Sequence, residues 1–331
     1  MQQPDFWYRS ENGITSQLLW PFGLAYSLAG KIRRFYRKPW CAGVPVICVG
    51  NLQVGGTGKT PTAIAIAHFL NEKGFDTHFL SRGYGKKVSG PIRVDPSLHT
   101  ADAVGDEPLL LAKIAPTWVS ADRRATAELA IKAGAKILVM DDGFQNPTIR
   151  KDLSILVIDG ETGFGNGRIL PAGPLRESVN EGLKRTNAVL IIGHDAHKLN
   201  TTIKFPQNQV IEILRGHLVP DATTIDLTGK KVFAFTGIGR PTKFFRTLQN
   251  IGCVISKTVE FDDHHAYTVD EIDDLVQKAN EMNAILVTTS KDRIRLDKTT
   301  ARKVTELPVS LEWENHAALA RLLEPIFLDL S

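Results

Sequence analysis

Several things are scarce in this sequence, and each scarcity excludes something. Three cysteines, Cys41, Cys48 and Cys253, occur in 331 residues. Their number is odd and none stands at metal-ligand spacing, so no disulfide framework or zinc site is encoded; reduced thiols in a cytosolic setting are expected. Excess charge of one sign is missing too. Forty basic residues face 36 acidic ones, which makes no global electrostatic case for nucleic acid. Internal repeats, low-complexity tracts and a cleavable signal pattern are not found. Long apolar runs are equally rare. The uncharged window 14–30 is about the minimum for a membrane span and contains Gln17, Pro21 and small polar residues, so a full crossing is not expected.

What is present begins with that window. Phe6, Trp7, Leu18, Leu19, Trp20, Phe22, Leu24, Tyr26 and Leu28 make the N-terminus aromatic and apolar, and the basic run Lys31, Arg33, Arg34, Arg37, Lys38 follows. Two readings stand side by side. One is an interfacial helix with its arginines toward anionic lipid. The other is a helix packed on the protein's own core.

The stretch that organises the chain is 44–61, VPVICVGNLQVGGTGKTP. A β-branched apolar run reads as a buried parallel strand, a glycine turn follows, and an apolar-periodic helix starts at Gly58-Lys59-Thr60. Strand, glycine loop and helix N-terminus form an anion site: backbone N–H groups and the helix dipole face phosphate oxygens, and Lys59 adds a full charge. Thr60 is placed to put its hydroxyl on Mg²⁺. The strict phosphate-loop pattern wants glycine where this chain has Gln53; Gly55 and Gly56 are expected to supply the freedom at positive φ.

Further motifs sit at strand ends, the edge that faces ligand in open α/β sheets. Residues 81–85 (SRGYG) offer Arg82 and Tyr84. Residues 104–108 (VGDEP) start a helix whose first-turn acids, Asp106 and Glu107, suit either the helix dipole or a base near phosphate. Asp122 caps a helix opening with Arg123 and Arg124, where an arginine could neutralise phosphoryl charge. In AKILVMDDGFQNP (135–147) four apolar residues lead into Asp141-Asp142, as a Mg²⁺-holding carboxylate at a sheet's edge would. The long loop 163–177, GFGNGRILPAGPLRE, carries Arg168 and Arg176; its length suggests function. After residue 206 the rhythm changes to a short connecting ribbon and a second strand–helix alternation. In it, 261–265 (FDDHH) concentrates titratable groups that suit a metal site, a His–Asp pair or a helix start. TTSKD (288–292) ends a strand.

Taken in order, GNLQVGGTGKTP, SRGYG, VGDEP, DDGFQ, GNGRILPAGPLRE, TGIGRP, FDDHH and TTSKD resemble the tetraacyldisaccharide 4'-kinase family over nearly the whole chain. The resemblance implies an α/β fold, a RecA-like P-loop NTPase domain with a parallel sheet joined by a β-ribbon to a smaller C-terminal α/β domain. It implies a membrane-associating helical segment over 1–40, a kinase domain over 41–206 and the smaller domain with its ribbon over 207–331. The implied activity is transfer of the ATP γ-phosphate, with Mg²⁺, to the 4'-hydroxyl of tetraacyldisaccharide 1-phosphate, giving lipid IVA at the cytoplasmic face of the inner membrane. No nucleic acid and no obligate protein partner is implied.

By this resemblance Gly55, Gly56, Thr57, Gly58, Lys59 and Thr60 bind nucleotide, with Lys59 also catalytic, and Thr60, Asp141 and Asp142 hold Mg²⁺. Asp106 becomes the base for the sugar hydroxyl, with His264 as its partner from the other domain. Arg123, Gln145, Arg176 and Glu177 match positions near the reacting or acceptor phosphate, with Arg124 a competitor for the place given to Arg123; Arg82, Tyr84, Arg168 and Asn146 are counted as further substrate or phosphate contacts from their places at strand ends and in the long loop. One departure stands out: many members read DDGFQH, and here Asn146 takes the last position, so no imidazole is available there.

Two other classes are weighed. A membrane-associated ATPase switch of the partitioning type is the alternative, but such proteins commonly carry lysine directly before the glycine pair, where this chain has Val54. A GTPase needs an N-K-x-D-like guanine reader, and Lys291 and Asp292 are adjacent.

Overall fold

The computed structural model describes residues 4–9, 13–83, 90–207, 209–221 and 226–328. Its first long element is helix α1 (Ile14–Phe35). The apolar run after it becomes β1 (Val46–Gly50), buried at every position, and the glycine loop delivers the chain into α2 (Lys59–Glu72). The alternation continues through β2 (Thr77–Ser81), β3 (Ile92–Arg93), α3 (Ala101–Val104), α4 (Asp106–Ala112), β4 (Thr117–Val119) and α5 (Arg123–Lys132). Next come β5 (Ile137–Asp141), β6 (Leu153–Asp159), α6 (Val179–Leu183), β7 (Ala188–Ile192), α7 (Leu199–Thr202) and β8 (Glu212–Pro220).

A second unit follows: β9 (Lys231–Thr236), α8 (Pro241–Asn250), β10 (Val254–Glu260), α9 (Val269–Glu281), β11 (Ile285–Thr289), α10 (Ser290–Arg293) and β12 (Thr305–Leu307). The chain ends in β13 (Val309–Trp313) and α11 (His316–Leu328).

The large sheet has nine strands in the order β13-β8-β7-β6-β1-β5-β2-β4-β3. It is parallel from β8 to β4, with antiparallel edges where β13 meets β8 and β3 meets β4. β1 lies between β5 and β6, so successive connections leave it on opposite sides. A crevice opens at its C-terminal end, the place where such sheets bind ligands. The small sheet, β10-β9-β11-β12, is wholly parallel. Strands buried on both faces explain the unbroken apolar runs. Ile47, Val49, Ile155 and Leu190 pack toward α2 and α11, whereas Val46, Cys48, Leu156 and Ile191 pack on the opposite face with Ala127 and Ala130 of α5.

The division of the chain by packing departs from the sequence reading in one respect. β8 and β13 extend the large sheet, and Leu319, Leu323 and Ile326 of α11 join its core. Residues 212–220 and 309–328, expected within the smaller domain, therefore pack with the larger one. The small domain proper is an insertion between the two ribbon strands. By adding to the sheet, β8 gains backbone partners on both sides, β7 and β13, which a strand of an isolated two-stranded ribbon would lack.

α1 lies against the large domain through a narrow strip. Ser16 and Gly23 are its only buried residues, while Leu18, Phe22 and Leu28 are 71%, 64% and 59% exposed. Among the described residues no helix is long and apolar enough to cross a membrane.

Candidate active site

The crevice at β1 continues into the gap between the two domains as one open cleft of about 1810 Å³. The glycine loop forms its floor. Gly55 and Gly58 have φ of 109° and 92°, so the left-handed backbone falls at Gly58 and Gly55 and not at Gly56. Gly58 caps α2, and the helix's first amides and Lys59 face the cleft. Gln53, which replaces the glycine of the strict pattern, bridges to Leu175 of the long loop, and the Val54 N–H donates to the Pro174 carbonyl at 2.9 Å. Asn51 steadies the loop from below by donating to Thr57 Oγ1 at 3.0 Å.

Lys59 is buried beside the loop, 3.8 Å from Asp142 Oδ1. Thr60 Oγ1 donates to Asp141 Oδ2 at 3.0 Å, and the other oxygen, Asp141 Oδ1, is buried with no partner among the described residues. Burial, with Glu107 next in importance, pushes the Asp141 carboxyl above its ordinary range. An orphaned buried carboxylate oxygen beside a hydroxyl is a demand for a cation. No group of three or more His, Cys, Asp or Glu that could form a cage exists among the described residues. The oxygen donors present, the Thr60 hydroxyl with the Asp141 and Asp142 carboxylates, are the kind Mg²⁺ takes when it arrives with its nucleotide. Asp142 sits at φ 52°. Burial would raise its carboxyl too, but Lys59, Arg176 and Arg123 outweigh that and hold it at about 2.

The wall beyond is a chain of polar side chains. Arg176 donates to both Asp142 oxygens at 2.9 and 3.0 Å and to Gln145 Oε1 at 3.2 Å. Gln145 in turn donates to the Asn51 carbonyl at 2.8 Å and to the buried Glu177 at 3.2 Å. Glu177 is gripped by Arg185 through both oxygens at 2.8 Å and by Arg34 of α1 at 3.2 Å. Asn146 lines the cleft while its Oδ1 accepts from the Thr148 N–H and hydroxyl at 2.9 and 2.8 Å. Its amide thus closes a turn, a task for which a short carboxamide is suited.

The remaining predicted residues divide. Arg123 is 3% exposed, donates to the Ser120 carbonyl at 3.2 Å and lines the cleft; burial lowers its guanidinium to about 10. Arg124 points outward, paired with Glu128 at 2.9 Å and stacked over Trp40, so of the two only Arg123 lines the cleft. Arg82 is exposed at the cleft. Tyr84 lies outside the described residues. Arg168 does not line the cleft: it donates to the Ser16 carbonyl at 2.7 Å and helps hold α1 on the loop.

Across the gap the small domain supplies the other half. His264, at φ 62°, places Nδ1 3.3 Å from Asp106 Oδ2. Asp106 is 7% exposed, and Arg295 binds the same oxygen through Nε at 3.2 Å and through its terminal nitrogen. Next to it Lys291 donates to Glu107 at 2.6 Å. Burial alone would raise the Asp106 carboxyl; His264, Lys291 and Arg295 drive it far below the carboxylate range, while Asp106 raises the His264 imidazole. A second ion cluster closes the far side, where Asp159, 1% exposed, meets Arg240 at 2.7 Å and Lys243, and Glu161 meets Arg246 at 2.5 Å. Arg295 and the Asp159 cluster were not singled out from sequence, and Arg34 and Lys291 were noted there only as part of a basic run and as a misfit to a guanine reader, not as partners of Glu177 and Glu107. Only the motifs TTSKD and TGIGRP, which hold or adjoin several of them, marked the neighbourhood.

A family model described as tetraacyldisaccharide-1-P 4'-kinase matches residues 15–327. The chain belongs to that family. Among relatives of this kinase family, the tetraacyldisaccharide 4'-kinase of Rhodospirillum centenum is 49% identical over 330 residues, covering 98% of this chain and 97% of its own. That of Gluconobacter oxydans is 45% identical and covers 98% of both. In three dimensions the chain is similar to LpxK from Aquifex aeolicus, described as an "apo" form in complex with ATP: TM-score 0.74, 26% identity, covering 95% of this chain and all of that one. The α/β P-loop fold and the kinase reading stand on these likenesses, with ATP as co-substrate; the partitioning-type switch finds no support among them.

Proposed function

We propose that this kinase moves the γ-phosphoryl group of ATP to the 4'-hydroxyl of tetraacyldisaccharide 1-phosphate, forming lipid IVA, while α1 rests on the cytoplasmic face of the inner membrane. The observation that carries the reading is that one cleft joins a phosphate loop on the large domain to a carboxylate–imidazole pair drawn from both domains. Glycine-loop amides, Lys59 and the arginines Arg82, Arg123 and Arg176 would neutralise the triphosphate and the transferring group, which is most of what phosphoryl transfer asks of a protein. Thr60, Asp141 and Asp142 would hold Mg²⁺, which draws charge from the β- and γ-phosphates when bound. As the hydroxyl oxygen attacks phosphorus, the bond from γ-phosphorus to the β–γ bridging oxygen breaks, ADP departs, and the hydroxyl proton passes to the Asp106–His264 pair.

The amphiphilic acceptor explains why an arginine-lined cleft adjoins a helix with an exposed apolar face. Such a helix suits the boundary between headgroups and acyl chains. The test is ³²P transfer from labelled ATP to purified tetraacyldisaccharide 1-phosphate in detergent micelles, with and without Mg²⁺. Mg²⁺-dependent labelling of the lipid is expected. ATP hydrolysis without lipid labelling, alongside an active control kinase, would overturn the reading.

A further inference from the structure

The Asp106–His264 pair is held by a side chain that neither sequence motif nor family resemblance marks. Arg295 follows α10 in the small domain, and its side chain is 5% exposed. Besides Asp106 it donates to the Gly237 carbonyl at 2.8 Å and to Asp292 Oδ1 at 3.1 Å, and its terminal nitrogen lies 3.4 Å from His264 Nδ1.

Asp292 is fully buried and saturated. It accepts from Thr236 Oγ1 at 2.6 Å, the Gly237 N–H at 2.9 Å, Tyr267 Oη at 2.8 Å and Thr289 Oγ1 at 2.7 Å. The His264 N–H donates to the same Gly237 carbonyl at 3.1 Å. Arg295 and His264 are thus mounted on one rigid platform at the ends of β9 and β11. From that platform both reach one oxygen of a carboxylate on the other domain. A planar guanidinium with donors fixed in a fork meets Asp106, Asp292 and a carbonyl from separate nitrogens; an ammonium, whose three donors leave one atom, does not reproduce that spacing.

We infer that Arg295 is the positioning residue of the phosphoryl-transfer site, fixing Asp106 Oδ2 against His264 so that the pair is aimed at the hydroxyl proton. The inference rests on the kinase reading above and on the Asp106–His264 assignment. Every charged group facing the pair enters the balance. Arg295 and Lys291 act to lower the carboxyl, whereas Asp106 and Asp263 raise the imidazole and Arg295 lowers it. Glu107 is occupied by Lys291, and Asp292 with Tyr267 stands behind Arg295. Among the described residues, Arg295 is the cation that lowers both members of the pair, and its removal is expected to make both more basic.

The experiment compares full-length wild type, Arg295→Gln and Arg295→Lys in the lipid-phosphorylation assay across pH, with ATP affinity measured separately. Arg295→Gln is expected to lower kcat roughly 10- to 100-fold, the loss that follows a misplaced general base. Its acid limb should move to higher pH while ATP affinity stays within about threefold. Arg295→Lys should return the limb toward the wild-type position and recover part of kcat, because it keeps charge and loses the fork. A merely structural arginine would not move the limb.

Wild-type kcat in Arg295→Gln, or a reduced kcat with an unmoved limb, overturns the inference. Should Arg295→Gln fail to bind ATP, Arg295→Lys decides: lowered kcat with unchanged KM for ATP supports it and wild-type kcat overturns it. Asp106→Asn and His264→Ala are run in parallel. If the wild type labels no lipid, or those two lose nothing, the underlying reading fails and Arg295 with it. If they lose turnover and Arg295→Gln does not, the Arg295 inference alone fails.

Discussion

Lys59 and Asp106 stand at opposite ends of the cleft's chemistry, and substitution should separate them. Lys59 supplies full positive charge beside the glycine loop, so Lys59→Ala is expected to lose ATP binding and turnover together. Asp106 touches the small domain's His264 and Arg295, whereas Lys59 stands beside the glycine loop. Asp106→Ala should therefore keep ATP affinity within a few-fold and lose about 100-fold or more in kcat, the range for removal of a general base. Calorimetric ATP binding beside single-turnover lipid phosphorylation checks both. Intact turnover in Asp106→Ala would remove it from the proton-accepting role.

The same pair predicts a pH signature. The His264 imidazole is raised by its bond to Asp106, so its contribution to stability is complete below its ordinary value of 6.5 and fades as pH climbs through the raised one. Asp106 is depressed, so its contribution is complete above 3.8 and fades on acidification. Both are at full strength between those two values. Thermal melts of wild type should lose stability from pH 6.5 upward relative to a His264→Gln variant, which lacks the titrating ring. Parallel Tm–pH curves for the two proteins would contradict the linkage.

At the scale of elements, what could be read from sequence was local. The buried strand, glycine loop and helix of the phosphate site follow from periodicity and turn chemistry within 30 residues, and the helix starts at Asp106 and Arg123 from their capping and charge patterns. Contacts made by topology could not be read that way. Nothing local says that Arg295 meets Asp106 across 189 positions or that Arg34 meets Glu177. The choice between Arg123 and Arg124 also needed the helix's orientation, since adjacent residues on a helix point about 100° apart.

For α1, sequence left two readings, and the docked strip explains why both had merit. A Cβ at Gly23 would stand 2.9 Å from the Ile169 carbonyl oxygen, and Ser16 Oγ donates to the Ala172 carbonyl at 2.7 Å. That face is bound to the long loop, whereas Leu18 and Phe22 are left outside. Burying either in a bilayer interface would gain up to about 1.5–3 kcal/mol. The double substitution Leu18→Asp, Phe22→Asp is expected to lower partitioning onto anionic vesicles by at least about 100-fold in flotation assays, with ATP affinity unchanged. Equal flotation of variant and wild type would place membrane contact elsewhere on the protein.

At the scale of the molecule, the inserted small domain is held to the large one on two sides of the cleft, and the two sides differ in kind. The side with Asp106 carries the reacting groups. The other, with Asp159 accepting from Arg240 and Lys243, adjoins the cleft and is built, among the described residues, from side chains not assigned to phosphate or proton transfer. Arg240 also stacks over Tyr8 of the N-terminal segment and donates to Thr162 at 3.0 Å, so one residue ties both domains and the segment leading into α1. Asp159 is nearly fully buried, and breaking such a pair by deleting one partner costs about 3–5 kcal/mol, because cations are left crowded without their counter-charge. Three kcal/mol amounts to roughly a 100-fold change in the balance between joined and separated domains. Asp159→Ala should therefore shift the protein toward a more open form, seen as a larger radius of gyration in X-ray scattering with a non-hydrolysable ATP analogue present. Its kcat should fall through loss of the His264–Asp106 approach, while ATP affinity, which resides on the large domain, should hold. An unchanged radius with unchanged kcat would mean that the Asp106–Arg295 side alone keeps the domains together.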